Sequence, residues 1–387
     1  MRILQVHTRY RQPGGEDVVV DVERQLLEAA GHRVKTHLID NPVDLRSSVA
    51  SLARSPWNSR SAAHVLAKAL EFRPDVVHVH NTWFALSPSV FPTLQDGGFP
   101  VVATIHNYRL TCVNALLYRD GGPCLDCVGR LPWRGVLHRC YRDSALQSAA
   151  VAVTIATHRA RRTWHDDVSR IIVLTRFAAN MLARSGIPES RIVVKPNAVT
   201  DPGPRSSPPS TNDSILYVGR FTEDKGVLDL LGAWGKAKLR DLQLTMIGSG
   251  PLLDRIRGSG EPGITALGHV PSAEVHRRML DARALVLPSR WFEGMPMVLL
   301  EAMAAGLPVV VPAHGDLLDT AGPGGVEFRA LDVDSLAGAL GVLSDDATVD
   351  SRGASSRSEY LSRFTPAESA SNLFRIYNDA GKNMKNS

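Results

Sequence analysis

Short runs rich in Val, Ile and Leu recur down the chain, each followed by a longer stretch of mixed polarity. In the first half they are RILQV (2–6), RVKTHLI (33–39), DVVHVH (75–80), VVATIH (101–106), RIIVLT (170–175) and RIVVK (191–195). In the second half they are SILYVG (214–219), LQLTMIG (242–248), GITALG (263–268), ALVLP (284–288) and PVVVP (308–312). Near-continuous apolar runs mark strands covered on both faces, and the intervening segments are long enough for helical crossovers. The pattern predicts α/β domains with parallel sheets. It lapses at DPGPRSSPPSTND (201–213), where Pro, Ser and Gly dominate, and a linker is predicted there. A first domain over 1–200 and a second over 214–364 follow. TPAESASNLFRIYNDAG (365–381) reads as a terminal helix started by Thr365 and Pro366, within a segment running to 387. Ligands of open parallel sheets sit at the carboxyl ends of the strands, so two such domains joined by a hinge are expected to face a common cleft.

SRWFEGMPMVLLEAMAAGLPVVVP (289–312) departs from the simple pattern. Glu301 is the only charged residue between Gly294 and Ala313. A lone carboxylate inside protein is costly unless something pairs with it. Pro296 suits the first position of a helix, Gly306 its stop, and Pro308 cannot continue it. Glu293 then lies in the loop before the helix and Glu301 one to two turns inside it. Both glutamates can accept hydrogen bonds from hydroxyl groups of a ligand. An exposed helix edge is the plain alternative for Glu301.

Three further segments end strands with chemistry. In YVGRFTEDKGV (217–227), Arg220 and Lys225 follow Gly219 on one turn and can neutralise a leaving diphosphate without a metal. In RQPGGEDVVV (11–20), Gly14 and Gly15 allow close approach of backbone to a ligand and open a helix whose N-terminus favours anions. A flexible loop before an acid-capped helix explains the same residues. VVATIHNYRL (101–110) delivers His106 at a strand end, although single histidines are commonly structural.

Composition adds little until it is divided. At 387 residues the chain exceeds what one core supports, and no apolar run reaches the length of a membrane span. MRILQVHTRY reads as a first strand, not a secretory signal, so a cytoplasmic protein is expected. Residues 1–200 hold 25 Lys+Arg against 16 Asp+Glu, and the remainder 19 against 23. HRARRTW (158–164) and RLPWRGVLHRCYR (130–142) concentrate the excess, which suits an anionic partner or a solvated surface. In residues 43–72, apolar positions at near-helical spacing accompany Arg46, Arg54, Arg60, Lys68 and a Trp. Such a segment can lie on an anionic membrane, for instance the inner face of the plasma membrane, or form an ordinary surface helix with a core face.

In this order, the four motifs resemble the retaining GT-B glycosyltransferases of family 4, also called glycosyl transferases group 1, over nearly the whole chain. EGMPMVLLEAMAAGLPVV is the most specific part and is similar to the family's Glu-x7-Glu signature. The resemblance implies a GT-B fold, two Rossmann-like parallel-sheet domains facing across a cleft, with the terminal helix packing back toward the first. It implies transfer of a sugar from a UDP- or GDP-sugar to an acceptor hydroxyl, with no cofactor needed for catalysis. By similarity, Glu293 holds hydroxyls of the transferred sugar beside backbone groups of Gly294, Met295 and Pro296, and Glu301 takes the ribose hydroxyls. Arg220 and Lys225 clamp the diphosphate behind Gly219, Gly15 approaches it next to Gly14, and His106 meets the sugar. His106, Glu293, Arg220 and Lys225 are thus the catalytic expectation. Double displacement needs a nucleophilic carboxylate, and the sequence offers no convincing one on the acceptor side; the resemblance implies instead front-face substitution, in which the leaving phosphate accepts the acceptor's proton. The basic first domain points to a glycan or lipid-linked acceptor at a membrane surface, as in cell-surface polysaccharide or glycoconjugate synthesis.

Other signals fit less directly. Cys112, Cys124, Cys127 and Cys140 surround GGPCLDCVG in an insert over 112–140. They permit a structural four-thiolate zinc site, free thiols or a disulfide. Asp332 or Asp334 of LDVDSL (331–336) reads as a helix cap rather than a metal-binding Asp-x-Asp. GSGPLLDRI (248–256) lacks the third glycine of a dinucleotide fingerprint. Another enzyme on the same fold, such as a nucleotide-sugar epimerase or a phosphorylase, is an alternative. A nucleic-acid-binding protein is another, but interleaved aromatics and a recognition motif are missing, so no nucleic acid is expected.

Overall fold

The structure, a computed structural model, describes residues 1–9, 14–42 and 50–385. The chain divides into two compact units. Met1–Leu117, Leu125–Asn197 and Ser369–Ser387 form the first; Tyr118–Cys124 and Ala198–Glu368 form the second.

The first unit is built on β1 (Arg2–Arg9), β2 (Arg33–Asp40), β3 (Val76–Asn81), β4 (Val101–Ile105), β7 (Arg170–Val173) and β8 (Ile192–Val194). The order is β2-β1-β3-β4-β7-β8 and every pairing is parallel. β5 (Tyr118–Arg119) and β6 (Gly122–Pro123) make a separate antiparallel hairpin that belongs to the second unit. The second sheet comprises β9 (Ser214–Val218), β10 (Gln243–Ile247), β11 (Ile264–Gly268), β12 (Ala284–Val286), β13 (Val309–Pro312) and β14 (Gly325–Phe328). Its order, β11-β10-β9-β12-β13-β14, is that of a doubly wound nucleotide-binding sheet. Strand order reverses between β1 and β3 in one unit and between β9 and β12 in the other, and crevices form at such points.

All eleven apolar runs are strands. Leu4, Val6, Val77, Val79, Val101 and Ile171 are fully covered in one core, and Ile215, Leu244, Val286 and Val310 in the other. On the opposite face of the first sheet, Leu373, Ile376, Tyr377 and Ala380 of the helix Pro366–Lys385 pack on Ile3, Val76, Val102 and Ile172. The Thr365 hydroxyl caps that helix, accepting from the Glu368 amide at 3.3 Å.

Two boundaries move. The first unit stops at Asn197 instead of residue 200, and the segment expected to be a free linker is fastened to the second unit. Arg357 donates to both oxygens of Asp201, at 2.7 and 2.8 Å, and Ser210 bonds Asp350 through its amide and hydroxyl. Arg205 donates to the carbonyls of Met279, Ala282 and Ala305. Proline and serine removed the apolar period there without removing the polar anchors.

In the 43–72 segment, the described residues 50–72 do not form one helix. Residues 43–49, with Arg46, lie outside the described residues, as do 10–13. Asn58 caps a separate helix, Ser59–Phe72, accepting from the Ser61 amide at 3.2 Å. Its apolar stripe, Ala62, Val65, Ala69 and Phe72, faces the core, while Trp57 stacks on His158 under the Arg161 guanidinium.

Candidate active site

The loops after β9 and β12 meet where the second sheet reverses. β9 ends at Val218, and the Tyr217 hydroxyl donates to the Arg220 carbonyl at 2.7 Å, bending the chain into its turn. Gly226 closes that turn with φ 68°, and a Cβ there would lie 1.9 Å from the Pro288 carbonyl oxygen at the end of β12. Only glycine fits both constraints. The Arg290 amide donates to the Asp224 carbonyl at 2.9 Å, so the two loops are tied backbone to backbone. Gly248 has a parallel role after β10: its Cβ would fall 1.8 Å from the Gly219 carbonyl oxygen.

This scaffold brings Lys225 and Glu293 together although 68 residues separate them. Glu293 Oε1 accepts from Lys225 Nζ at 2.6 Å, Ser289 Oγ at 2.6 Å and Trp291 Nε1 at 2.9 Å. The carboxylate is buried, and the ammonium also lies over the Trp291 ring, 5.1 Å from its centre. Arg220 points outward on the same turn, held by Asp224 at 3.1 Å. Asp229 grips Arg290 through both oxygens, and Arg290 also hydrogen-bonds the Tyr118 side chain of the hairpin. Part of the cysteine-rich insert therefore belongs beside these loops, not wholly with the first domain. His314 donates from Nε2 to the Ser289 carbonyl at 3.1 Å, and burial lowers its pKa.

The helix following Glu293 runs Met297–Ala304, one residue later than expected, because Pro296 keeps an extended ψ of 127° and serves as its N-cap residue. Leu299, Leu300, Ala302, Met303 and Ala304 are buried. Glu301 takes the narrow polar edge, half-buried, with His276 Nε2 3.6 Å from its Oε1. In this unit Gly219, Arg220, Lys225, Glu293, Gly294, Met295 and Pro296 lie on the two adjoining loops, and Glu301 starts the second turn of the helix they lead into.

In the first unit, Gly14 precedes the helix Gly15–Ala29, and its amide donates to Asp17 Oδ2 at 2.8 Å, so an acid-capped helix is present. His106 follows β4, half-buried, and pairs with His80 across 3.3 Å, Nε2 to Nδ1. Burial pushes its pKa down to about 4. Behind it lies a group that sequence reasoning missed. His78 and His80 share one face of β3, with Glu23, Lys195 and Tyr377 around them. The spacing His-Val-His was the one local signal, since alternate residues of a strand face the same way.

The four cysteines of the insert are spread over both units. None of the four is joined in a disulfide, and among the described residues no three of them gather into a group fit to hold an ion. Cys112 donates instead to Asn114 Oδ1 at 2.9 Å, and burial raises its thiol pKa. Cys124 belongs to the second unit and the other three to the first. Asp332 does cap its helix, accepting from the Ser335 amide at 2.8 Å.

Two family models match in succession: Glycosyltransferase Family 4 over residues 13–201 and Glycosyl transferases group 1 over 212–346. The chain belongs to the group 1 glycosyltransferases. A phosphatidyl-myo-inositol mannosyltransferase of Mycobacterium leprae is 27% identical over 94% of this glycosyltransferase and 93% of its own length. An exopolysaccharide phosphotransferase of Streptomyces coelicolor is 33% identical over 48% of the chain, which spans only 21% of that protein. The putative colanic acid biosynthesis glycosyltransferase WcaL of Escherichia coli K12 is 32% identical over 36% of the chain and 38% of its own. Among solved structures, sucrose-phosphate synthase of Thermosynechococcus elongatus superposes with a TM-score of 0.71 at 19% identity, covering 97% of this chain and 98% of that one. HepE of Anabaena, solved with UDP, gives 0.66 at 15% identity, covering 98% of this glycosyltransferase and 100% of its own chain. These likenesses establish the GT-B fold.

Proposed function

We propose that this glycosyltransferase moves a sugar, with retention of configuration, from a UDP- or GDP-sugar to a hydroxyl of a glycan or lipid-linked acceptor in cell-surface polysaccharide or glycoconjugate synthesis. The observation that carries the donor assignment is the convergence of Lys225, Glu293 and Arg220 on two tied loops at the point where the second sheet reverses. A buried carboxylate already holding three donors is a preorganised acceptor for sugar hydroxyls, and two cations on one turn match a diphosphate. Anabaena HepE binds UDP, UDP-glucose, and UDP with glucose in its solved complexes.

Glu293 and the backbone of Gly294, Met295 and Pro296 orient the sugar, and Glu301 takes the ribose hydroxyls. The bond between the anomeric carbon and the phosphate oxygen breaks while the acceptor oxygen bonds the same face. The acceptor's proton passes to the leaving phosphate, whose charge Arg220 and Lys225 stabilise. In the first unit, the Gly14–Gly15 turn allows close backbone approach to the phosphates and His106 meets a sugar hydroxyl.

The mannosyltransferase relative's name points to a lipid acceptor for that protein. Here the same class is supported by exposed Leu131, Trp133, Leu137 and Leu146 beside exposed Arg130, Arg134, Arg139 and Arg142. Basic and amphipathic side chains of this kind suit an anionic bilayer surface, and a cytoplasmic enzyme working at the inner membrane face follows. Among the described residues no helix is long and apolar enough to cross a membrane.

Thermal shift with UDP, GDP and their sugars, with and without EDTA, tests the donor assignment. A shift that survives EDTA and disappears in Arg220→Ala or Glu301→Ala supports it. No shift with any nucleotide in folded protein overturns it.

A further inference from the structure

The first unit contains a buried ionisable chain that sugar transfer does not by itself explain. The Lys195 and Glu23 side chains are 2% and 4% exposed, with Nζ 2.7 Å from Oε1. The other carboxylate oxygen, Oε2, faces His80 Nε2 at 3.6 Å, and both atoms are buried without a hydrogen-bond partner. His80 Nδ1 then reaches His106 Nε2 at 3.3 Å. His78 closes the side of the group, its two nitrogens on the hydroxyls of Tyr377 and Thr104 at 2.8 and 2.7 Å.

We propose that Glu23, held by Lys195, fixes the tautomer of His80 and through it that of His106, so that His106 meets its substrate hydroxyl as a hydrogen-bond acceptor at Nδ1. An ionised carboxylate only accepts, so the His80 nitrogen turned toward it carries the ring's proton. Burial opposes ionisation of Glu23, but the Lys195 ammonium, through its charge and its hydrogen bond, outweighs it and lowers its pKa. Burial also holds His80 well below its ordinary value, so the ring is neutral and has one proton. Its Nδ1 is then a lone pair, and the proton between the two rings resides on His106 Nε2. His106, neutral in turn, keeps Nδ1 as its acceptor. The opposite assignment would set a lone pair of His80 against a carboxylate oxygen in a site closed to water. Glu23, Lys195 and His80 are positioning residues in this scheme, not groups that touch substrate.

Glu23, His78 and His80 could also be read as metal ligands, since their ligand atoms lie within 4.8 Å of one another. Two features disfavour an ion: the Lys195 ammonium already neutralises the carboxylate, and His78 Nδ1 is engaged by Tyr377.

The inference rests on His106 meeting a sugar hydroxyl, but its test does not need the sugar. In the full chain labelled with 15N-histidine, NMR should show a 15N–15N coupling between His106 Nε2 and His80 Nδ1, with the proton attached to His106. A proton attached to His80 Nδ1, or stoichiometric zinc in the purified protein released by His80→Phe, overturns the proposal. Glu23→Gln supplies the second arm. Lys195 draws the amide oxygen, the NH2 turns toward His80, and the His106 proton moves from Nε2 to Nδ1. An unchanged tautomer in folded Glu23→Gln overturns the proposal as well. Correct tautomers without any nucleotide-sugar binding would instead sink the donor assignment and leave the relay standing.

Discussion

Each unit joins a lysine on the segment that follows a strand to a glutamate on another element, and the two pairs differ in what surrounds them. Lys195 and Glu23 are 2.7 Å apart with side chains 2% and 4% exposed; Lys225 and Glu293 are 2.6 Å apart with 18% and 7%. The first pair is enclosed by neutral histidines and helices. The second lies on loops, with its lysine reachable and Arg220 beside it, 62% exposed. The same ion pair can therefore do two jobs. Closed off from water, it is an internal fixture that orders protons; left open on one side, it is preorganised charge that a ligand can engage. Removing one member of a closed pair strands a charge, while removing one member of an open pair mainly removes a function.

The largest expected effect is on the closed pair. Glu23→Ala or Lys195→Ala should lower unfolding free energy by about 3–5 kcal/mol, measured by urea denaturation. Lys225→Ala should shift stability far less, yet reduce sugar transfer by about 10²-fold or more, measured as initial rate at saturating donor. Equal stability losses at the two sites would break the comparison.

Acid sharpens it next. His106 and His158 are pushed down to about 4 by burial, and His78 and His80 lie well below their ordinary value for the same reason. Unfolded histidines bind protons below about 6.5, so the unfolded state takes up more protons than the folded one between there and about pH 4. Stability is full above that window and falls as pH drops through it. Asp167, raised to about 6 by burial and Asp166, works in the opposite direction in the lower part of the window. A melting-temperature profile from pH 7.5 to 4.5 should fall in wild type and fall less in His106→Gln. Smaller still, Glu301→Gln should weaken nucleotide binding about tenfold, the equivalent of one charge-assisted hydrogen bond, with calorimetry as the check. The mildest change, Asp332→Ala, removes a cap and an exposed ion pair with Arg329 and should cost about 1 kcal/mol with transfer unaffected.

Legibility in the sequence followed the range of the interactions. The eleven strand runs could be read because burial on both faces writes itself as continuous Val, Ile and Leu. β14, GVEF, escaped because it is four residues long and carries a glutamate, and the Tyr118–Pro123 hairpin because two-residue strands have no period. Glu293, Glu301, Arg220 and Lys225 stood out because local context made each one odd: an isolated charge in an apolar run, or cations crowding a turn. Ser289, Trp291 and Asp229 look ordinary where they stand and acquire roles only through the fold. The Lys195–Glu23 contact spans 172 residues and His78–Tyr377 spans 299, beyond anything a local pattern can encode. The segment 201–213 misled for a related reason: its composition describes a chain without a core, while Asp201, Arg205 and Ser210 anchor it by polar bonds.

The first unit takes most of the helix Pro366–Lys385, from Ser369 onward, after the whole of 198–368 has gone to the second. A ribosome translating this message therefore makes that part of the helix only after the whole of 198–368. Until then Ile3, Val76, Val102 and Ile172 lack the cover of Leu373, Ile376 and Ala380, and His78 waits for the hydroxyl of Tyr377. The nascent protein must carry that greasy face until residues 373–380 have been made, so a product stalled before them offers chaperones and proteases a ready handle.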